Sequence, residues 1–229
     1  ECKYGTLFRL SSAKFDATIP SARQNPILLL ENNEMTDDSA VEKKSIRADA
    51  LRNEDALLEA AKEIFATSGV DAPVREIAAR AGVGVGTLYR RFPKRSDLVV
   101  GVYKREVDAC VKAAADFTDQ YGPGDALTHW LKRYCQFIVT KKGLAAALYS
   151  GDPAFDALPA YFRANFEPTL QSLLQSAARA GEIRGDIDAF DLLRAIGNLA
   201  SVGGTEGAEH THRMLELMID GLRFGAAKP

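Results

Sequence analysis

Between Arg75 and Arg95 the chain carries Arg75, Arg80, Arg90, Arg91, Lys94 and Arg95 against one acid, Glu76, a local balance of +5 in a chain of net charge −2. Cations gathered this densely suit a polyanion, because neutralising phosphates releases counterions from the duplex. They would equally suit a solvated helix face, so the residues between them decide. Val85 and the methyl of Thr87 match thymine methyl groups, and the Thr87 hydroxyl matches a base edge or a phosphate. Gly86 allows close backbone approach. Tyr89, between Leu88 and the Arg90-Arg91 pair, places a hydroxyl where a phosphate would lie. Arg90 and Arg91 point to different sides of a short helix, so at most one faces a groove squarely. Arg75 lies at the first turn of the preceding helix, within reach of the DNA backbone, and amides near Lys94 and Arg95 add an anion site.

These residues need a scaffold, and the local pattern supplies one. Val74, Ile77, Ala78 and Ala81 sit at helical spacing, with Gly82 where a helix ends in the left-handed region. Val83 is an apolar plug for the turn. A second helix is expected over Val85 to Phe92, stopped by Pro93. Two helices joined by a short glycine turn are the geometry that sends the second into the major groove. Ahead of them, Leu51, Leu57, Leu58, Ala61, Ile64 and Phe65 describe an amphipathic helix from Ala50 to Ser68, capped by Asp49 or Asn53 and ended by Gly69. Pro73 is expected in the first turn of the next helix. Leu88 and Phe92 read as core.

The segment from Leu57 to Val100 resembles the DNA-binding domain of the TetR family of bacterial transcriptional regulators. The resemblance rests on Leu57-Leu58-Glu59-Ala60-Ala61, Ile64-Phe65, Gly69, the run Val74 to Val83, Gly86-Thr87-Leu88-Tyr89-Arg90-Arg91-Phe92-Pro93 and Asp97-Leu98. It implies that Tyr89 contacts a phosphate and that Arg95 stands where relatives usually carry lysine. Many relatives have Ser-Lys where this chain has Gly84-Val85, which removes a helix cap and one cation. The resemblance further implies a homodimer on a palindromic operator and a small-molecule effector.

Composition narrows the rest. Of the 229 residues, 46% are hydrophobic and 26% charged, as in a water-soluble globular protein, and no apolar run approaches the length of a membrane span. The three cysteines, Cys2, Cys110 and Cys135, form no short pair, which suits a reducing cytoplasm and argues against a disulfide scaffold or zinc module. His210 and His212 fall on different helix faces, so neither a metal site nor a cofactor is expected. No nucleophile and base constellation emerges, since loop and capping roles account for Asp152, Asp156 and Glu167. The expectation is therefore a regulator and not an enzyme. The competing reading is a helical small-molecule-binding protein that keeps the motif as a scaffold.

After Gly122-Pro123-Gly124 the chain reads as helix after helix, with no period-two strand pattern. Helices are expected from Asp125 to about Gly143, from about Ala160 to Ala180, and over residues 189–202 and 209–224. The class is all-α: a three-helix DNA-binding domain over residues 47–97 and a helical ligand-binding and dimerisation bundle over residues 98–229. Residues 1–46 read as an N-terminal extension expected to be disordered, of which 1–34 is either upstream sequence from a misplaced start or a genuine disordered arm. Residues 1–46 balance six basic against seven acidic residues and are not a basic arm. Trp130, Tyr134, Phe137, Tyr149, Phe162 and Phe166 are candidates for an effector pocket, with plain core as the alternative. Ile196, Gly197, Ala200, Leu215, Met218 and Leu222 are candidates for the dimer interface, again with intramolecular core as the alternative.

Overall fold

In the computed structural model, backbone is described for residues 37–200 and 204–224 and side chains for residues 48–200 and 209–224. The expectations for residues 1–34 and for the end of the helix expected over 189–202 lie outside these. Contacts divide the chain between Ser45 and Ile46; the described part of the first unit is the opening of helix α1, and the second unit holds the elements discussed below.

Helix α1 runs from Asp37 to Ser68, so the expected start at Ala50 is corrected. The reason is compositional: Asp37 to Ala50 contains no glycine or proline and includes the good helix formers Ala40, Glu42, Lys43, Lys44, Arg47, Ala48 and Ala50, so nothing stops the helix. Asp49 and Asn53 are thus interior residues and not caps; Asp49 pairs with Arg52 on the next turn. Leu57, Leu58, Ala61 and Phe65 are buried on its inner face. Gly69, at φ +76°, ends it in the left-handed region.

Two short helices follow, α2 (Val74–Arg80) and α3 (Val85–Arg91). Pro73 precedes α2 as its N-cap, in extended conformation, one position earlier than expected. The α2–α3 turn closes as a double hydrogen-bonded C-cap: the Val83 N–H donates to the Ala78 carbonyl at 3.0 Å and the Gly82 N–H to the Ala79 carbonyl at 3.1 Å. That geometry needs φ +69° at Gly82. Phe92 caps α3, and its buried ring, with Leu88, anchors the helix.

Helix α4 (Arg95–Gln120) begins where the Lys94 N–H donates to the Asp97 carboxylate at 2.9 Å. It serves both halves of the molecule. At Gly101 a Cβ would press on Leu58 and Phe92, so the glycine lets the DNA-binding head close against α4. Farther on, α4 packs on α5 (Pro123–Gly143) and α7 (Leu158–Arg179), with α6 (Ala145–Leu148) and a 3₁₀ turn (Pro153–Phe155) between them. The Glu182 carboxylate accepts from the Gly124 N–H at 2.9 Å and so satisfies the start of α5. At its other end α5 meets α1: a Cβ on Gly143 would lie 3.3 Å from the Phe65 carbonyl oxygen and 3.3 Å from Ala66 Cα. Helices α8 (Ala189–Leu199) and α9 (Gly204–Arg223) complete the bundle; α9 starts before the expected residue 209. The Arg184 N–H holds the Leu222 carbonyl at 2.9 Å, and Lys132 on α5 pairs with Glu216 on α9 at 2.7 Å.

The bundle core is aromatic. Trp130 stacks on Tyr134 with centroids 5.7 Å apart, and Phe166 meets Tyr134, Phe137 and Phe162 at 5.2, 4.9 and 4.8 Å. The indole N–H donates to the Cys110 carbonyl at 2.9 Å and the Tyr134 hydroxyl to the Leu193 carbonyl at 3.2 Å. Among the described residues every buried side-chain nitrogen and oxygen has a partner. Burial pushes the Cys110 thiol up to about 12, with nearby Arg133 lowering and Glu106 raising it, and burial pushes Cys135 up to about 11.

Two outcomes follow. No atom stands within 4 Å of a Cβ built on Gly82, so Gly82→Ala incurs only the left-handed backbone cost, about 1–2 kcal/mol. Thermal denaturation should show a drop of roughly 2–4 °C per kcal/mol, and a smaller one for Gly82→Asn. Because both thiols stay protonated near neutrality, a disulfide reagent at pH 8 should leave Cys110 and Cys135 unmodified in folded protein and label both in guanidinium, as read by peptide mass mapping.

Candidate nucleic-acid interface

The outward face of the head is built from α3. Leu88 and Phe92 point into the core, which turns Val85, Gly86, Tyr89 and Arg90 to the solvent side; Val85 and Tyr89 are exposed and Thr87 is half-buried. A Cβ on Gly86 would meet nothing within 4 Å, so this side of α3 is open to a partner. The helix begins on the Gly84 carbonyl, which accepts from Thr87 and Leu88 at 2.9 and 3.2 Å, without the side-chain cap that serine would supply.

The six cations divide into two sets. Arg75, Arg90 and Lys94 are exposed, and the Arg90 guanidinium reaches the Thr87 hydroxyl at 3.4 Å, one turn back along α3. The other three are engaged within the chain. Arg80 pairs with Glu63 and Arg91 with Glu54, both on α1, while Arg95 donates to the Val70 carbonyl. The expectation that Arg90 and Arg91 diverge therefore matches the geometry. For Arg95 the placement differs from a free phosphate anchor: its side chain is half-buried and stitches α4 to the loop after α1. Glu54, Glu63 and the Val70 carbonyl were not among the expected site residues. They lie 17 to 37 positions away in sequence, and a hydrogen-bond partner at such range has no local signature.

The expected effector-pocket residues separate as well. Trp130, Tyr134, Phe137 and Phe166 are buried together and Phe162 packs against them, whereas Tyr149 is 79% exposed and lies outside the cluster. The segment carrying Tyr149 ends in a surface turn at Ser150-Gly151, and that is why its ring does not join. A groove of about 180 Å³ lies elsewhere, lined by Gln171, Gln175, Arg179 and Arg184 over Leu174 and Ile187. Of the expected dimer-interface residues, Ile196, Ala200, Leu215 and Leu222 are buried in the chain's own core, while Gly197 and Met218 are half-buried. The amphipathic stripe of each helix had to cover the bundle first. What α9 leaves outside is Leu217, 62% exposed, Gly221, and Phe224, 82% exposed, at the helix end.

Among the described residues, no group of three or more His, Cys, Asp and Glu side chains is placed to hold a metal ion, and no helix is long and apolar enough to cross a membrane. Helix α3 is a short helix with an apolar back, Leu88 and Phe92, and an open front that carries Arg90.

Known proteins share this organisation. Residues 57–102 match the model for bacterial regulatory proteins of the tetR family, and residues 122–224 match that for the C-terminal domain of SbtR-like transcriptional regulators. The crystal structure of the TetR transcriptional regulator SCO0520 from Streptomyces coelicolor is 34% identical, covering 74% of this chain and 98% of that one with a TM-score of 0.66. That of a TetR transcription regulatory protein from Mycobacterium vanbaalenii is 36% identical, covering 78% and 99% with a TM-score of 0.62. An HTH-type transcriptional regulator of Staphylococcus aureus is 30% identical over 109 residues, which span 47% of this chain and only 59% of that regulator. With a helix-turn-helix head, an all-helical bundle and full-length structural counterparts of this identity, the chain belongs to the TetR family of bacterial transcriptional regulators.

Proposed function

We propose that this regulator is a repressor that binds a palindromic operator as a homodimer and is released by a small-molecule effector. The observation that carries the DNA part is the outward set on α3, Val85, Gly86, Thr87, Tyr89 and Arg90, held against an apolar back of Leu88 and Phe92. In this reading Val85, Thr87 and Arg90 meet base edges, Gly86 permits the close approach, and Tyr89, Arg75 and Lys94 position the backbone. Arg91 and Arg95 sit at the margin and act first on the head itself, through Glu54 and Val70.

Dimerisation is assigned to the outer side of α8 and α9. Leu217, Gly221 and Phe224 fall at i, i+4 and i+7, a single stripe along α9, and the half-buried Met218 and Gly197 lie along its margin. A two-fold contact there would present two copies of α3 to successive half-sites. The effector is assigned to the aromatic cluster of Trp130, Tyr134, Phe137, Phe162 and Phe166. Both polar tips of that cluster are already satisfied by the Cys110 and Leu193 carbonyls, so an effector seated there is held chiefly by apolar and aromatic contact. To act as an inducer it must bind a DNA-incompetent arrangement more tightly than the competent one.

The test is binding to DNA upstream of the protein's own reading frame, by salt titration against competitor DNA. Tight, competitor-resistant binding is expected. Lys94→Ala should lower the salt slope by about 1 and weaken all sequences alike, while Arg90→Ala should cost about 1–3 kcal/mol on the specific site and relax its sequence preference. Arg95→Ala should lower the melting temperature while leaving the salt slope near the parent value. Equal, weak binding to all DNA would defeat the repressor reading. Separately, Leu217→Glu should shift the sedimenting species from dimer towards monomer, and a parent protein that sediments as a monomer would remove the dimer assignment.

A further inference from the structure

Glu106, on α4, is 5% exposed and is the buried charged side chain among the described residues. It lies midway between Val102 and Cys110 on a face that is otherwise apolar, so the position has to be filled against the hydrophobic pattern. Its two oxygens have different partners. Oε1 faces the head, 3.2 Å from Lys62 Nζ on α1 and 3.7 Å from its neighbour Arg105. Oε2 faces the bundle, 3.3 Å from Arg133 Nη2 on α5.

The cluster is larger on the head side. Lys62 also holds Glu59 at 2.7 Å, and Arg105 holds Asp55 at 2.7 Å and Glu59. Three carboxylates, Asp55, Glu59 and Glu106, thus face two cations from α1 and α4, and Arg133 is the third positive charge that balances them. Arg133 is also the member that belongs to the bundle, one residue before Tyr134 of the aromatic cluster and one helical turn after Trp130.

We propose that Glu106 is a two-sided ionic clamp that sets the tilt of the DNA-binding head on the bundle and passes movement of α5 to α1. Helix α4 joins the two parts as a single rod, so rotation of the head about it is opposed by lateral contacts alone. A buried carboxylate that loses Arg133, the one of its three cations on the Oε2 side, is left undercompensated there in a low-dielectric site, and it relaxes by turning towards water or towards Lys62 and Arg105. Either response disturbs Lys62. Any rearrangement of Tyr134 or Trp130 therefore reaches α1 through Arg133 and Glu106 without further intermediates. The clamp goes beyond the repressor reading and does not depend on it.

The test measures the head-to-bundle distance directly, by electron spin resonance between genetically encoded spin labels at Ala79 on α2 and Gln175 on α7, both exposed. Labelled chains are diluted with unlabelled ones so that distances within one chain are read. The parent protein should give a single narrow distance peak. Glu106→Gln and Arg133→Met should each broaden or shift it, although Arg133 has no ion pair with the head. Leu174→Ala, which destabilises the bundle away from the junction, should lower the melting temperature and leave the peak in place. Should Glu106→Gln fail to fold, Lys62→Met and Arg133→Met carry the comparison. Parent-like peaks for these variants would overturn the clamp, as would equal broadening in Leu174→Ala. Neither DNA nor effector is present, so failure here is separable from failure of the repressor assignment.

Discussion

The head of this protein depends on burial that its own recognition elements cannot provide. Helices α2 and α3 are seven residues each, far below the length at which an isolated helix persists in water. They exist because Ile77, Ala78, Leu88 and Phe92 are driven into a core whose other walls are Leu57, Leu58, Ala61 and Phe65 of α1 and Leu98, Val99 and Val102 of α4. The exposed face of α3 is thus the back of a hydrophobic contact. Its shape is fixed from inside, and its chemistry can vary freely outside.

Charge is arranged with similar economy. A local excess of +5 would repel itself if every cation stood free, yet Glu54 and Glu63 on α1 and the Val70 carbonyl restrain three of the six arginine and lysine side chains. Exposed contacts of this kind add little to stability, because solvent screens them. Their greater effect is orientation: they hold Arg80 and Arg91 along the flank of α1 while Arg90 and Lys94 remain outward.

Where physics is local, the chain could be read directly. The helical class, the Gly82 turn, the stop at Phe92-Pro93 and the buried pair Leu88 and Phe92 each follow from spacing or from one residue's backbone preference. What could not be read was long-range or competitive. The start of α1 at Asp37 was missed because a helix without a breaker gives no start signal. The α8 and α9 stripes serve the bundle before any partner, and amphipathicity alone does not tell one burial from another. Tyr149 looked like its aromatic neighbours and differs only in sitting next to a turn. Glu106 had a faint signal, an acid at i+4 from Val102 and i−4 from Cys110, whose meaning depended on Lys62 and Arg133.

The close packing of the aromatic cluster also makes the protein its own reporter. Trp130 is the one tryptophan in the chain, fully buried, stacked on Tyr134 and tethered to the Cys110 carbonyl on α4. Its emission senses the dryness of the bundle interior and the integrity of the α4–α5 contact together. A molecule that wedges into those rings must change the colour or intensity of that single fluorophore, so a library of unlabelled compounds can be screened against unmodified protein by light alone.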